Sequence, residues 1–226
     1  MMNKKPRIAI LASGSGTTAE ALMQSIVRGE CNGEVALVIS NSADAGVFEK
    51  VDALMTKNNL TVEKAYVSSK NFPDNDGAPV EYGRQTRAEE AEILRLLKLH
   101  DIDFVALLGY MKLVGSSIVE RYGYNSQLSS PFQAQMVNTH PGILPDTKGL
   151  YGIHVQEYVL KNNRTAGHCL FAVDTEYDGG PVVAEHRVEV LEGDTPESLF
   201  ERIKASERAT IGSDIDIFLT QHTEES

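Results

Sequence analysis

Behind Arg7 the chain runs Ile8-Ala9-Ile10-Leu11-Ala12, apolar without a break, and Ser13-Gly14-Ser15-Gly16-Thr17-Thr18 carries it straight into an amphipathic segment. A strand apolar at every position has to be covered on both faces, and a glycine turn opening a helix is how a parallel β-α-β unit begins. The pattern repeats. Thr17–Arg28 sets Ala21, Leu22, Ser25 and Ile26 on one side and stops at Gly29. Residues 35–39 read as a second strand, 45–58 as a helix with Val47, Val51 and Leu54 on one face, and 65–67 as a third strand. A polar stretch, 68–83, then reads as a long loop. Residues 84–99 have helical spacing and 103–108 are again apolar throughout. The fold class that follows is α/β, a Rossmann-like, mostly parallel sheet with helices on both faces.

The second half changes character. Ser116–Tyr122 reads as a short helix and 123–135 as polar and irregular. Met136–His140 reads as a strand stopped by Pro141. Residues 167–173 and 182–190 read as strands, antiparallel additions in the C-terminal half. A closing helix is predicted over 195–219, capped by Asp194 or Thr195 with Glu197 in its first turn. Residues 220–226 are expected to fray. No linker divides the 226 residues, so a single domain over 1–226 is expected; a chain of this length can bury roughly 70–75 % of its unfolded surface in one core.

Charge and cysteine usage exclude several function classes. The formal net charge is −11, from 21 basic and 32 acidic residues, and such a surface repels nucleic acid. An anionic small ligand must be held by local groups against that field. Two cysteines, Cys31 and Cys169, make no disulfide framework and no cysteine-based zinc site, which suggests a reducing, cytoplasmic location. The basic start at Lys4-Lys5-Pro6-Arg7 precedes too short an apolar run for a signal peptide, and no segment reaches the about 20 apolar residues of a membrane span. No metal site is expected: His140, His154 and His168 are spaced 14 apart, which no regular element converts into a ligand set. Cys169 reads as a buried apolar residue, and no Gly-x-Ser-x-Gly elbow is present.

Three readings of Gly14-x-Gly16-x-x-Ala19 stay open. The free N–H groups at a helix start favour a phosphate monoester, with Thr17 and Thr18 adding hydroxyls. A dinucleotide site would want an acid after the second strand, where Ser40-Asn41-Ser42 stands instead. A purely structural turn is the third.

Asn138 and His140 are two apart on an extended segment, so both leave the same face, while Thr139 points the other way. An amide and an imidazole at the carboxyl end of a strand can bind a developing oxyanion. Asp178-Gly179-Gly180-Pro181 lies between two strands; its glycines are expected to take positive φ and turn the Asp178 carboxylate inward, where it would charge a nearby imidazole. The bland alternatives are a structural Asn-x-His pair and an aspartate that caps its own turn.

The order of these motifs resembles the folate-dependent formyltransferases. The resemblance rests on the strand–Ser13-Gly14-Ser15-Gly16-Thr17-Thr18–helix unit, Gly109-Tyr110-Met111-Lys112-Leu113, Asn138-Thr139-His140-Pro141-Gly142-Ile143-Leu144-Pro145 and Asp178-Gly179-Gly180-Pro181, and covers roughly residues 7–219. It implies formyl transfer from 10-formyltetrahydrofolate, the cosubstrate, to a phosphorylated ribonucleotide amine, glycinamide ribonucleotide first among candidates, in purine synthesis. Another folate-dependent formyltransferase, a formyltetrahydrofolate hydrolase and a non-catalytic nucleotide binder are the alternatives. The family implies small-molecule partners only, and allows a homodimer.

Residue by residue, the resemblance makes Asn138, His140 and Asp178 catalytic, with Asp178 keeping His140 charged. Gly16, Thr17, Thr18, Lys204 and Glu207 would hold the ribonucleotide. Met111, Lys112, Leu113, Val114, Asn138, Asp174 and Arg87 would meet the folate. This divides the domain into a phosphate-binding half, 7–115, and a catalytic half, 116–219. The chain departs from the family at Thr17-Thr18 (usually Ser-Asn), at Thr139 and Gly142 (usually an apolar residue and a serine), and at Phe171, where a histidine is usual and His168 is displaced by three. The loops 71–82 and 123–135 are longer than usual.

Overall fold

The computed structural model describes residues 4–74 and 81–225. Seven strands share one sheet: β1 (Arg7–Leu11), β2 (Glu34–Ser40), β3 (Glu63–Tyr66), β4 (Phe104–Leu107), β5 (Met136–His140), β6 (Gly167–Ala172) and β7 (Val182–Arg187). Their spatial order is β3-β2-β1-β4-β5-β6-β7. β1 to β5 pair parallel, and β6 and β7 add antiparallel.

Side-chain alternation along the strands splits the interior in two. Ile8 and Ile10 of β1 join a core with α1 (Thr17–Arg28), α2 (Gly46–Asn58) and the last helix; Ala9 and Leu11 join another with α3 (Arg87–Leu99) and α4 (Ser116–Tyr122). The helices therefore cover both faces, as the unbroken apolar strands require. α5 (Ile153–Lys161) packs Val155 and Val159 against Leu199 and Ile203 of α6 (Pro196–Glu225). Among the described residues no helix is long and apolar enough to cross a membrane.

Four sequence expectations are corrected. The helix predicted from residue 84 begins at Arg87, because Thr86 and Glu89 form a reciprocal cap: the Thr86 hydroxyl accepts from Glu89 N–H and the Glu89 carboxylate from Thr86 N–H. The strand predicted over 182–190 ends at Arg187. The tail expected to fray stays helical to Glu225, because His222 hydrogen-bonds the Phe132 carbonyl at 2.7 Å and Gln133 donates to the Glu225 carbonyl. This also orders part of 123–135, where Pro131–Gln133 is a 3-10 turn and Phe132 packs on Phe218. α5 was not anticipated at all. Of the predicted loop 68–83, residues 75–80 lie outside the described residues.

Candidate active site

The chain reverses direction across the sheet between β1 and β4: β2 and β3 lie to one side of β1, β4 and β5 to the other. Open α/β sheets form a ligand crevice at the carboxyl ends of the strands flanking such a point. The glycine loop follows β1, residues 109–115 follow β4, and Asn138 and His140 end β5. Ser13 fastens the first two together, its N–H on the Gly109 carbonyl and its Oγ accepting from Met111 N–H at 2.8 Å.

Gly16 caps α1 at φ 70°, with no side-chain cap, so the first N–H groups of α1, at the carboxyl end of β1, have no intrahelical acceptor. A Cβ on Gly16 would sit 2.5 Å from the Val47 Cα, so the residue must be glycine for both conformation and space. Thr17 is half-buried. Thr18 is buried, and its hydroxyl donates to Glu207 Oε1 at 2.6 Å. Glu207 also meets Thr139, the residue on the opposite side of β5 from the Asn138–His140 pair; burial raises the Glu207 carboxyl above its ordinary range, against those hydroxyls and the Lys204 and Arg208 charges. Lys204 lies over the Phe200 ring.

His140 is 4 % exposed. Its Nδ1 lies 3.7 Å from Asp178 Oδ2, an ion-pair distance rather than a hydrogen bond, and its Nε2 lies 2.9 Å from the Thr147 hydroxyl. The same Asp178 oxygen accepts from Gly149 N–H at 3.1 Å, and Lys148 pairs with Glu176 at 2.7 Å. Three consecutive residues, Thr147 to Gly149, thus tie the histidine to the loop that bears the aspartate. The expectation that Asp178 keeps His140 charged is corrected: burial drives the imidazole below its ordinary value, and the Asp178 charge and a ring hydrogen bond to the Thr147 backbone carbonyl only oppose this. The turn chemistry is corrected too. Asp178 itself takes positive φ, at 46°, while Gly179 and Gly180 do not. Those glycines are required for close approach, since a Cβ on Gly180 would collide with the Ala172 carbonyl.

Asn138, Lys112, Leu113, Val114, Tyr177 and Asp178 line one pocket with Tyr110 and Phe171. Lys112 does not offer a free ammonium there: its Nζ is 2.5 Å from Oε1 of the fully buried Glu89. Met111 is largely exposed at the rim, and Asp174 bends its own loop by accepting from Glu176 N–H. Arg87 lies exposed in the first turn of α3. Arg84 is the arginine the fold brings to the pocket edge, its backbone bridged to Leu113 and its charge felt at Tyr177. Thr147 and Arg84 were both missed by sequence reasoning. Neither sits in a recognisable motif; the one available signal was Gly142, whose missing side chain leaves room for the Thr147 hydroxyl.

His168, displaced by three from the family's usual histidine, stands elsewhere, on β6: it bonds Ser206 of α6 and stacks on His186 at 4.9 Å. Cys169 is buried, its thiol pushed up to about 12 by desolvation.

Comparison with known proteins bears on the whole of this arrangement. The family model described as formyl transferase matches residues 6–214. A chloroplastic phosphoribosylglycinamide formyltransferase of Arabidopsis thaliana is 29 % identical over 203 residues, covering 88 % of this chain; the chain spans 61 % of that relative's length. The Bacillus subtilis phosphoribosylglycinamide formyltransferase is 27 % identical, with 87 % of this chain and 86 % of its own length covered. The crystal structure of phosphoribosylglycinamide formyltransferase from Bacillus halodurans superposes with a TM-score of 0.76 at 33 % identity, covering 95 % of this chain and 96 % of that one. With the family model matching nearly the full length and the fold shared from end to end, this chain belongs to the formyl transferase family.

Proposed function

We propose that this formyl transferase moves the formyl group of 10-formyltetrahydrofolate to the amine of glycinamide ribonucleotide. The observation that carries the reading is the buried His140 at the end of β5, with Asp178 3.7 Å from Nδ1 and Asn138 on the same strand face. The glycine loop lies across the crevice, two strands away.

The folate supplies an electrophilic formyl carbon held on nitrogen. The pocket lined by Leu113, Val114, Tyr110 and Phe171 suits a flat heteroaromatic ring, and Arg84 at its edge, whose only ion pair is a solvent-exposed one with Glu81 at 2.8 Å among the described residues, suits the carboxylates of a folate tail by exchanging that partner. The N-terminus of α1, with Gly16 and Thr17, takes the phosphate of the ribonucleotide. Thr18 acts there through its backbone, since its hydroxyl is spent on Glu207. Glu207, with Lys204 near it, supports that site from behind, its buried carboxylate holding the Thr18 hydroxyl.

As the amine attacks, charge grows on the formyl oxygen, and the Asn138 amide donates to it. His140 starts neutral, as its burial requires. It takes the amine's proton on Nδ1 while Asp178 holds the cation so formed, and returns that proton to the departing folate nitrogen. The amine loses one proton and the folate gains one, so no other acid or base enters the balance. We also propose that the continuous sheet makes the chain one working domain, acting on small molecules in the cytoplasm.

The test is the absorbance change of 10-formyltetrahydrofolate with and without glycinamide ribonucleotide. Turnover only with the amine is expected. Equal turnover without it makes the protein a hydrolase, and no turnover in either case overturns the catalytic reading.

A further inference from the structure

Thr147 makes a choice for His140 that the proposed chemistry needs. An isolated neutral imidazole carries its proton on either nitrogen, and the hydrogen bond at one nitrogen decides the state of the other. The Thr147 hydroxyl has a single proton, which it donates to the Ile143 carbonyl at 3.1 Å; the same carbonyl takes Thr147 N–H at 3.2 Å. With its proton so placed, this oxygen accepts from His140 Nε2, 2.9 Å away. Thr147 is fully buried and His140 nearly so.

We infer that Thr147 is a positioning residue: it holds the His140 proton on Nε2 and leaves Nδ1, the nitrogen facing Asp178, bare to receive a proton. The inference rests on the reading of His140 as a proton carrier for formyl transfer.

Gly142 is an independent mark of the same arrangement. A Cβ there would collide with Thr147 Oγ1, and the position is buried. Where the resemblance leads one to expect a serine, this chain clears the space and brings a hydroxyl in from residue 147 instead. The neighbouring contacts hold the threonine's segment in place, since Lys148 and Gly149 are anchored on Glu176 and Asp178. The titratable groups that face the ring are Asp178 from its loop and Cys169, its register partner on β6, whose thiol stays protonated.

The experiment uses the full chain and two variants, Thr147→Val, which keeps the shape and removes the hydroxyl, and Thr147→Ser, which restores it. Nitrogen-15 spectra of His140 in the ligand-free protein at pH 8 read the proton's position directly. The expected result is Nε2–H with bare Nδ1 in the wild type and in Thr147→Ser, and a shift toward Nδ1–H in Thr147→Val. In the valine variant kcat falls by at least about tenfold, with KM for both substrates within about threefold of wild type, because only the proton relay is disturbed. A wild-type ring with its proton on Nδ1 overturns the inference even if Thr147→Val does not fold. So does a folded valine variant with unchanged spectrum and kcat. A protein with the expected spectra that transfers no formyl group instead overturns the proposed function and leaves the role of Thr147 standing.

Discussion

Lys112 Nζ and Glu89 Oε1 lie 2.5 Å apart, and the carboxylate is wholly buried beneath the first turn of α3. The other oxygen of Glu89 accepts from Thr86 N–H, whose own hydroxyl donates to the Phe72 carbonyl. One side chain therefore fixes the start of α3, the loop before it and the loop after β4 that lines the pocket. Glu89→Gln keeps an acceptor for Thr86 and leaves the Lys112 ammonium without its partner. Breaking one side of a buried ion pair costs about 3–5 kcal/mol, and urea denaturation of this variant is expected to show a loss in that range. A loss under about 1 kcal/mol would mean that Lys112 reaches water in the folded protein.

Asp178→Asn removes a charge and keeps the shape. Of the influences on His140, burial lowers its affinity for a proton and Asp178 raises it, so the variant's imidazole titrates at lower pH than the wild type's. Less imidazolium forms when the amine releases its proton, and turnover is expected to drop about 10²–10³-fold with little change in ribonucleotide affinity. His140 titration by NMR and steady-state kinetics check the two halves separately. More than a third of normal turnover in a variant of unchanged stability removes Asp178 from the mechanism.

Thr17 and Thr18 are neighbours with different neighbours of their own. Thr18→Val strips a hydrogen bond from buried Glu207, and about 1–3 kcal/mol of stability should go with it. Thr17→Val leaves the fold alone and weakens only ribonucleotide binding, by a loss typical of a bond to a charged group, about 1.5–3 kcal/mol. Thermal unfolding and ribonucleotide titration of both variants separate the effects. Folate binding that falls in step with ribonucleotide binding in Thr17→Val rules out a phosphate cradle at Gly16-Thr17.

His168 provides an acid sensor of stability. Burial, helped by the stacked His186, lowers it from 6.5 to about 4. Between those values the unfolded chain binds a proton that the folded one does not, so stability falls as pH drops from about 6.5 to about 4, by roughly 3 kcal/mol from this residue. His168→Gln, which can still bond Ser206, should flatten the dependence of unfolding free energy on pH in that window. An unchanged slope would assign the acid sensitivity to other groups.

What the sequence discloses and what it withholds divide along a physical line. The glycine turn after β1 and the shared face of Asn138 and His140 were legible because each is set by local backbone geometry, whereas Gly179 and Gly180 were read for a positive φ they do not take, because what they make room for is Ala172 on the neighbouring β6. The two-sided cores were legible because strand alternation writes them into Ile8 to Leu11. α5 was missed because its apolar contribution is little more than Val155 and Val159, too short a stripe to stand out, and its stability comes from α6 forty residues later. The charge state of His140 was misread for a related reason. Proximity of an acid can be guessed from motifs, but desolvation is the sum of everything packed around the ring. Thr147 and Arg84 reach the site only through loop paths that no residue pattern announces.

The contact between Gly16 and Val47 sets how this crevice can diversify. Gly14 has open space where a side chain would go, whereas any side chain at Gly16 must displace the first turn of α2 and with it the support of β2. Variation in ligand preference on this side of the crevice therefore has one admissible doorway, residues 14 and 15, and one immovable jamb. A library randomised across the whole loop should return survivors that differ freely at the former and are all glycine at the latter, so that new specificities on this scaffold arise by decorating the rim of the anion site rather than by reshaping its floor.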